Sequence, residues 1–241
     1  MNEIFKHYAA VVFFDTETTG LDADADRIIE LAALRIEMNE RGVPKMTDSI
    51  DLFVKLPDGQ KIPERITELT HITDEMLDTE GVTEAEAAQA FRQIITSNKG
   101  TVLLVAHNAQ FDILFVLSML DRQGGAQILN NTDYLDSLTV YKDRRAYPHK
   151  LANAITAYNL DGRVQNTHRA IDDVKALCLV VIEMGRERDD LLEYVNVFGY
   201  NPKYGVSGRR IEGVEYWPQR FNTFMQSPNY TLPALAKRNN I

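Results

Sequence analysis

Residues 11–20 read VVFFDTETTG, and this stretch constrains the chain more than any other. Its first four residues are β-branched or aromatic, which predicts a buried strand that ends at polar residues and a glycine. Asp15 and Glu17 are two positions apart, so both carboxylates project from one face of the strand. Such a pair is repelled and desolvated unless a cation lies between the two groups. The fragment alone favours two solvated acids before a turn, and the alternative is half of a divalent-metal site.

The chain as a whole has the composition of a globular protein. Its 241 residues, 44% of them hydrophobic and 25% charged, predict one large domain or a domain with an appendage. No apolar run has the length of a transmembrane helix, and the N-terminal residues do not resemble a signal peptide. The single cysteine, Cys178, cannot form an internal disulfide. We therefore expect a cytoplasmic protein with no membrane partner.

The charge of the chain bears on how it would meet a nucleic acid. The net charge is −9 and the isoelectric point is about 5.1, which argues against a protein that coats nucleic acid by bulk electrostatics. An enzyme that holds only the end of a strand is compatible with this charge, because bound cations would neutralise clustered carboxylates. The composition therefore disfavours a binding module more than it disfavours an enzyme.

The order of predicted elements indicates an α/β fold. Strands at residues 11–14, 28–38 and 50–54 predict an antiparallel meander, and strand–helix units follow it. Thr83 and Glu86 form a capping-box pattern at the start of one helix. The other predicted elements are short helices at 66–77, a helix at 83–97, strands at 101–106 and 134–138, and helices at 109–122, 150–158 and 169–187. The pattern predicts a three-layer α/β domain with a mixed sheet.

The last part of the chain has a different composition. Residues 198–210 are rich in glycine, tyrosine and basic groups, although the whole protein is acidic. We expect a domain over residues 1–190 and a small C-terminal extension over 191–241, with a hairpin around residues 209–216. The basic and aromatic residues of the extension are compatible with a strand-guiding or partner-docking element, and ordinary packing on the domain is the slightly favoured alternative.

Asp112 is an unusual carboxylate for its surroundings. Between Phe111 and Leu120 the only polar residues are Asp112 and Ser118, so the helix is apolar nearly all round and is predicted to be buried. An acid near a helix N-terminus is also favoured by the helix dipole alone. Beside Asp15 and Glu17, the interpretation of Asp112 as a metal ligand becomes the better one.

A second acidic group lies in the sequence THRAIDDV, at the start of the last long helix. Helical spacing places His168 and Asp172 on one face, because they are four positions apart. His168 and Asp173 share a site only if His168 lies on the loop before the helix. The residues themselves leave open which aspartate points inward.

Together, DTETTG, HNAQFD and HRAIDD resemble the three motifs of the DEDDh (DnaQ-like) 3′–5′ exonuclease superfamily. The resemblance covers roughly residues 8–185 and is greatest to the proofreading epsilon subunits and epsilon-like exonuclease domains of bacterial DNA polymerase III. The resemblance implies a ribonuclease H-like fold. In the superfamily the final aspartate lies five positions after the histidine, and this spacing selects Asp173. The family residues fall on Asp15, Glu17, Asp112, His168 and Asp173. Arg169 excludes the tyrosine variant of the superfamily.

The resemblance also implies a mechanism. Two divalent ions, Mg²⁺ or Mn²⁺, would be held chiefly by Asp15, Glu17 and Asp173, with Asp112 in support. His168 would act as the general base that accepts a proton from the attacking water. The reaction implied is hydrolysis of phosphodiester bonds with release of nucleoside 5′-monophosphates.

Substrate and partner expectations follow from the same resemblance. The implied substrate is the 3′ end of single-stranded or frayed DNA, with RNA trimming of the RNase T or oligoribonuclease type as the alternative. A DNA polymerase subunit is the implied protein partner, and a binding module with a vestigial site is the non-enzyme alternative. His71 stands where the family often has glycine. The residues expected to contact the strand are Thr18, Thr19, Leu69, His71, Asn108 and Phe111.

Overall fold

The computed structural model describes residues 3–97, 99–164 and 169–219. Its helices are α1 (Ile4–His7), α2 (Glu64–Thr70), α3 (Asp74–Glu80), α4 (Glu84–Ile95), α5 (Ala109–Arg122), α6 (Ser137–Arg144), α7 (Leu151–Ala157) and α8 (Ala170–Glu187). Its strands are β1 (Ala10–Thr18), β2 (Ile28–Met38), β3 (Pro44–Phe53), β4 (Val102–Ala106), β5 (Thr132–Asp136), β6 (Val197–Tyr200) and β7 (Glu215–Pro218). Short 3₁₀ helices cover Ala126–Asn131 and Leu191–Tyr194.

The main sheet is mixed, and β1 is its central strand. The strand order is β3-β2-β1-β4-β5. β1 pairs antiparallel with β2 and parallel with β4, and β4 pairs parallel with β5. The carboxyl ends of β1 and β4 therefore meet at one edge of the sheet, where open α/β sheets usually bind their ligands.

Alternation along β1 separates two hydrophobic cores. Val11 and Phe13 pack in the core that α6, α7 and α8 cover, whereas Val12 and Phe14 pack in the core that α4 and α5 cover. The sheet thus lies between two helical layers. This arrangement confirms the prediction of a three-layer α/β fold with a mixed sheet.

The predicted local signals occur in the structure with small shifts. The capping box of Thr83 and Glu86 is present at the start of α4. The strand expected at 134–138 instead ends at Asp136, because the Asp136 side chain accepts hydrogen bonds from Leu138 and Thr139 and caps α6. Helix α6 itself was not predicted from the sequence. Within the described residues, no helix is both long and apolar enough to cross a membrane.

The C-terminal extension differs from its prediction. The prediction of a hairpin around residues 209–216 is wrong, because the structure pairs β6 and β7 in parallel. A hairpin joins two antiparallel strands through a short turn, whereas Gly199 here pairs in parallel with Trp217 across a long connection. Phe198 and Ile211 are buried in the core under α4 and α5, so the extension packs on the domain through apolar side chains.

Candidate metal centre and nucleic-acid site

Asp15 and Glu17 lie at the carboxyl end of β1. They continue the alternation of Val11 and Phe13, so their side chains project toward the layer that contains α8. Both are partly exposed, whereas the residues between and before them are buried. The strand therefore brings two carboxylates to an opening at the edge of the sheet.

Asp173 meets these carboxylates from the first turn of α8. Oxygen atoms of Asp15, Glu17 and Asp173 all lie within 4.8 Å of one another. Asp173 is 8% exposed. By contrast, the Asp172 side chain is 34% exposed, and its Oδ1 lies 3.3 Å from Lys175 Nζ. The structure thus brings Asp173, and not Asp172, into the carboxylate group.

Burial and mutual repulsion make these acids difficult to ionise without a cation. Burial, followed by the charges of Asp112, Glu17 and Asp173, raises the pKa of Asp15 well above its ordinary value. Burial and the charge of Asp173 raise the pKa of Glu17 to about 8. Burial and the charge of Asp172 raise the pKa of Asp173 to about 7. A divalent ion would supply the missing positive charge.

The donor atoms of this group fit a hard divalent cation. All are carboxylate oxygens, which Mg²⁺ and Mn²⁺ prefer over the nitrogen and sulfur ligands typical of zinc. Asp173 Oδ1 is also buried without a hydrogen-bond partner within the described part of the chain. A buried carboxylate oxygen without a donor costs free energy, and a bound ion would remove that cost. The residues present therefore fit the divalent metal predicted from the sequence.

Asp112 approaches from the opposite helical layer, in the first turn of α5. Its Oδ1 accepts hydrogen bonds from Thr16 N at 3.1 Å and Thr16 Oγ1 at 2.8 Å. Thr16 lies between the two β1 acids, so this contact holds Asp112 against the strand. Burial raises the pKa of Asp112 to about 7, although the Thr16 hydrogen bonds lower it. Asp112 does not belong to the described group of three within 4.8 Å, but it is the largest source of repulsion at Asp15.

Asp136 fixes the start of α5, a role that was not predicted from the sequence. Its Oδ1 accepts hydrogen bonds from Asn108 N at 2.9 Å and Ala109 N at 3.1 Å, and its side chain also caps α6. Asn108 has a left-handed backbone with φ of 76°, which this contact stabilises. One carboxylate thus orients the first turns of two helices, including the turn that carries Asp112. The sequence signal that could have indicated this role is an aspartate directly before α6, a helix that was not predicted.

Glu30 fixes the start of α8 in a similar way. It is fully buried on β2, where it pairs in register with Glu17. One carboxylate oxygen accepts a hydrogen bond from Ala170 N at 3.0 Å, and the other accepts one from Arg169 Nε at 2.7 Å. Glu30 therefore anchors the helix end that presents Asp173. Its signal in the sequence was a single acid within the apolar strand IIELAAL.

His168, the predicted general base, lies outside the described residues, and its role stays a prediction. Thr18 is buried, and its hydroxyl donates to Gly20 O at 2.6 Å. Thr19 N donates to Arg27 O at 2.9 Å, and its hydroxyl donates to Asp26 Oδ1 at 3.0 Å. The polar groups of the two threonines thus order the turn that follows β1.

The remaining predicted contact residues lie on two separate segments. Leu69 is exposed on α2, and His71 ends that helix with φ of 61°. Because glycine adopts this left-handed conformation without strain, the geometry explains why glycine suits position 71. Asn108 is exposed at the start of α5, and the Phe111 ring lies 4.8 Å from the Phe115 ring. Their contact with a nucleic acid stays a prediction.

The raised pKa values predict how metal and pH affect stability. In the folded, metal-free chain the carboxyl groups of Glu17, Asp112 and Asp173 keep their protons up to about pH 7 or 8. In the unfolded chain the same groups lose their protons as the pH rises above about 4. The metal-free fold should therefore lose stability between about pH 4 and about pH 8. Melting temperatures in EDTA and in Mg²⁺ or Mn²⁺ measure this loss of stability. The increase in melting temperature that the metal causes should be larger near pH 8 than near pH 5.5. An equal gain at both pH values would contradict the prediction.

Comparisons with known proteins agree with this fold. The family model described as "Exonuclease" (RNase T) matches residues 12–181. The chain is 33% identical over 195 residues to the DNA polymerase III PolC-type of Clostridium perfringens, covering 80% of this chain and 12% of that protein. It is 32% identical over 187 residues to the PolC-type polymerase of Staphylococcus aureus, covering 76% of this chain and 12% of that protein. The chain thus spans about an eighth of the length of these relatives.

Solved structures show the same fold at lower sequence identity. E. coli Exonuclease I in complex with a dA16 oligonucleotide has a TM-score of 0.66 and 18% identity, and the match covers 77% of this chain and 42% of that chain. Exonuclease I from Methylocaldum szegediense has a TM-score of 0.63 and 20% identity, with 76% and 42% covered. With the family model matched over most of its length, the chain belongs to the RNase T exonuclease family, within the DnaQ-like DEDDh superfamily.

Proposed function

We propose that this chain is a metal-dependent 3′–5′ exonuclease that acts on the 3′ ends of single-stranded or frayed DNA and releases nucleoside 5′-monophosphates. The observation that supports this most directly is the group of Asp15, Glu17 and Asp173 oxygens within 4.8 Å of one another. Such a group suits two-metal hydrolysis of a phosphodiester.

Each residue of the site has a role in this proposal. Asp15, Glu17 and Asp173 would hold the metal ions, with Asp112 in support. Bound divalent ions supply an activated water and stabilise the charge on the leaving oxygen. His168 would accept the proton of the attacking water, a role for which the histidine side chain in general is suited because it can take up and release a proton near neutral pH.

The relatives support DNA as the substrate and a polymerase as a partner. The proteins that match over most of this chain are named DNA polymerases, and a structural neighbour was solved with a DNA oligonucleotide. RNA trimming uses the same metals and the same fold, so the substrate must be tested directly. We therefore include RNA in the assay below.

The test is incubation of the protein with 5′-labelled DNA and RNA oligomers in Mg²⁺ or Mn²⁺, with paired and mispaired 3′ ends. We expect a ladder of shortened DNA products, with mispaired ends removed faster than paired ends because they fray. Faster shortening of RNA would replace DNA by RNA as the substrate. Binding of the strands without shortening would support a vestigial site and refute the enzyme.

Asp173 and Asp172 provide a matched pair for this assay, because they are adjacent and differ in environment. Asp173→Asn should reduce the rate at least about 10²-fold, since it removes a charged oxygen from the metal group. Asp172→Asn should change the rate by no more than about twofold, because its carboxylate faces Lys175 at the surface. Initial rates at saturating metal measure the difference. Equal losses in the two variants would refute the assignment of Asp173.

A further inference from the structure

The C-terminal extension carries a local positive charge that the proposed function does not use. Residues 196–211 contain three basic residues and no acidic residue, although the whole chain has a net charge of −9. The three basic residues, Lys203, Arg209 and Arg210, are all exposed. They make residues 201–210 a basic loop in an acidic protein, and a local excess of positive charge attracts polyanions.

Hydrogen bonds fix this basic loop against the first turn of α5. The Gln110 side chain donates to Ser207 O and Arg209 O, both at 2.8 Å, and accepts from Tyr216 Oη at 2.7 Å. Gln110 lies two positions before Asp112, so the loop is attached beside a proposed metal ligand. The basic loop therefore has a fixed position next to the proposed reaction centre.

The two guanidinium groups of the loop are accessible to a ligand. Among the described residues Arg210 has no acidic partner, and its Cζ lies 4.7 Å from the centre of the Tyr216 ring. Arg209 Nη2 lies 3.3 Å from Asp121 Oδ2, but the two side chains are 47% and 52% exposed. An ion pair as exposed as this one contributes little free energy and exchanges readily. Both arginines can therefore donate to a phosphate, whose geometry the guanidinium group matches.

The charges on the two sides of the first turn of α5 are opposite. Asp22 and Asp24, in the turn after β1, are exposed, and they face Arg209 across an opening beside Gln110. A polyanion that passes this turn is repelled on the side of the aspartates and attracted on the side of the basic loop. The charges thus favour one direction for a strand that extends away from the metal group.

We propose that the basic loop binds phosphates of the substrate strand upstream of the nucleotides held by the exonuclease domain, with Arg209 and Arg210 as the principal contacts. The inference rests on the proposed function for the identity of the ligand as a nucleic-acid strand. It gives a role to residues that lie beyond the family match at residues 12–181. Contacts to phosphates carry no sequence information, so the loop should increase the affinity for long strands of any sequence.

The test removes both guanidinium groups and is matched by an equal change of charge elsewhere. The loop variant, Arg209→Ala/Arg210→Ala, keeps the backbone carbonyl that Gln110 binds, so the loop should stay in place. The control variant is Arg163→Ala/Arg186→Ala. It removes two exposed arginines beside α8, in the other helical layer, and so changes the net charge by the same amount.

Binding is measured by fluorescence anisotropy with a labelled single-stranded DNA twelve-mer at several salt concentrations, in an Asp15→Asn background that prevents cleavage. A three-mer that displaces the twelve-mer reports binding near the reaction centre alone. We expect the loop variant to bind the twelve-mer about tenfold more weakly at moderate salt. The slope of log Kd against log salt should fall by about 1.4, because each phosphate contact on a single strand contributes about 0.7. Affinity for the three-mer should be the same as in the parent, and the control variant should change neither affinity by more than about twofold.

An unchanged salt slope for the twelve-mer, or an equal loss of affinity for the three-mer, would overturn the inference. An equal loss in the control variant would overturn it as well, because the effect would then come from net charge and not from the loop. Cleavage of the twelve-mer by the unsubstituted protein is measured separately. If that protein bound the strand but did not cleave it, the proposed function would fail, and the binding comparison would still decide the role of the basic loop.

Discussion

Asp15→Asn should reduce exonuclease activity by about 10³-fold or more, because a central metal ligand contributes several kcal/mol to transition-state stabilisation. Asparagine has nearly the same volume but no negative charge, so the strand and its packing should persist. Burial and four neighbouring carboxylates raise the pKa of Asp15, which means that the charged form is disfavoured in the metal-free fold. The variant should therefore melt in EDTA near pH 8 at the same temperature as the parent or at a higher one.

The combination of these two results is what identifies a metal ligand. A residue needed only for folding would lose activity and stability together, whereas Asp15→Asn should lose activity and its response to Mg²⁺ without losing stability. Asp48→Asn, at an exposed aspartate on the edge strand β3 of the same sheet, is the control and should alter neither property. Initial rates on a labelled oligomer and thermal melts with and without metal measure both. Activity close to that of the parent would refute the metal site.

The sequence predicted the parts of this site that depend on local patterns. The alternation of β1 places Asp15 and Glu17 on one face wherever the strand lies, so their common face could be predicted from the strand pattern alone, whereas their role as metal ligands could not. Asp112 was predicted to be buried because its helix is apolar nearly all round, and it is buried. The choice between Asp172 and Asp173 needed the resemblance, because helix geometry alone allows either one.

The supporting residues could not be predicted because their roles depend on contacts between distant segments. Glu30 and Ala170 are 140 positions apart, and Asp136 and Asn108 are 28 apart. Locally, each acid is only a charge beside apolar residues. The parallel pairing of β6 with β7 is also a matter of the whole fold, because strands of four residues carry little register information. The sequence thus predicted the proposed reacting groups better than the framework that orients them.

Glu30→Ala should reduce kcat by about 10²-fold, the loss expected when a reacting group is displaced by about 1 Å. Ala170 is fully buried, so its N–H would lose its partner and have no access to water. The Arg169 guanidinium would lose its carboxylate and could turn toward Asp51, which already lies 4.0 Å away. The first turn of α8 would then shift, and Asp173 would shift with it. We expect a smaller change in KM than in kcat, and a higher metal concentration for half-maximal rate.

Two further variants separate positioning from simple stabilisation. Glu30→Gln keeps an oxygen that accepts from Ala170 N–H, so it should recover much of the rate although it lacks the charge. Glu37→Ala removes an acid from the same strand. Glu37 Oε1 lies 2.8 Å from Arg35 Nε, and this ion pair is not part of the metal group. Glu37→Ala should lower the melting temperature without changing kcat or the metal requirement. If Glu30→Ala behaved like Glu37→Ala, Glu30 would only stabilise the fold. A loss confined to kcat and metal affinity would instead mean that a buried acid on β2 determines where α8 holds Asp173.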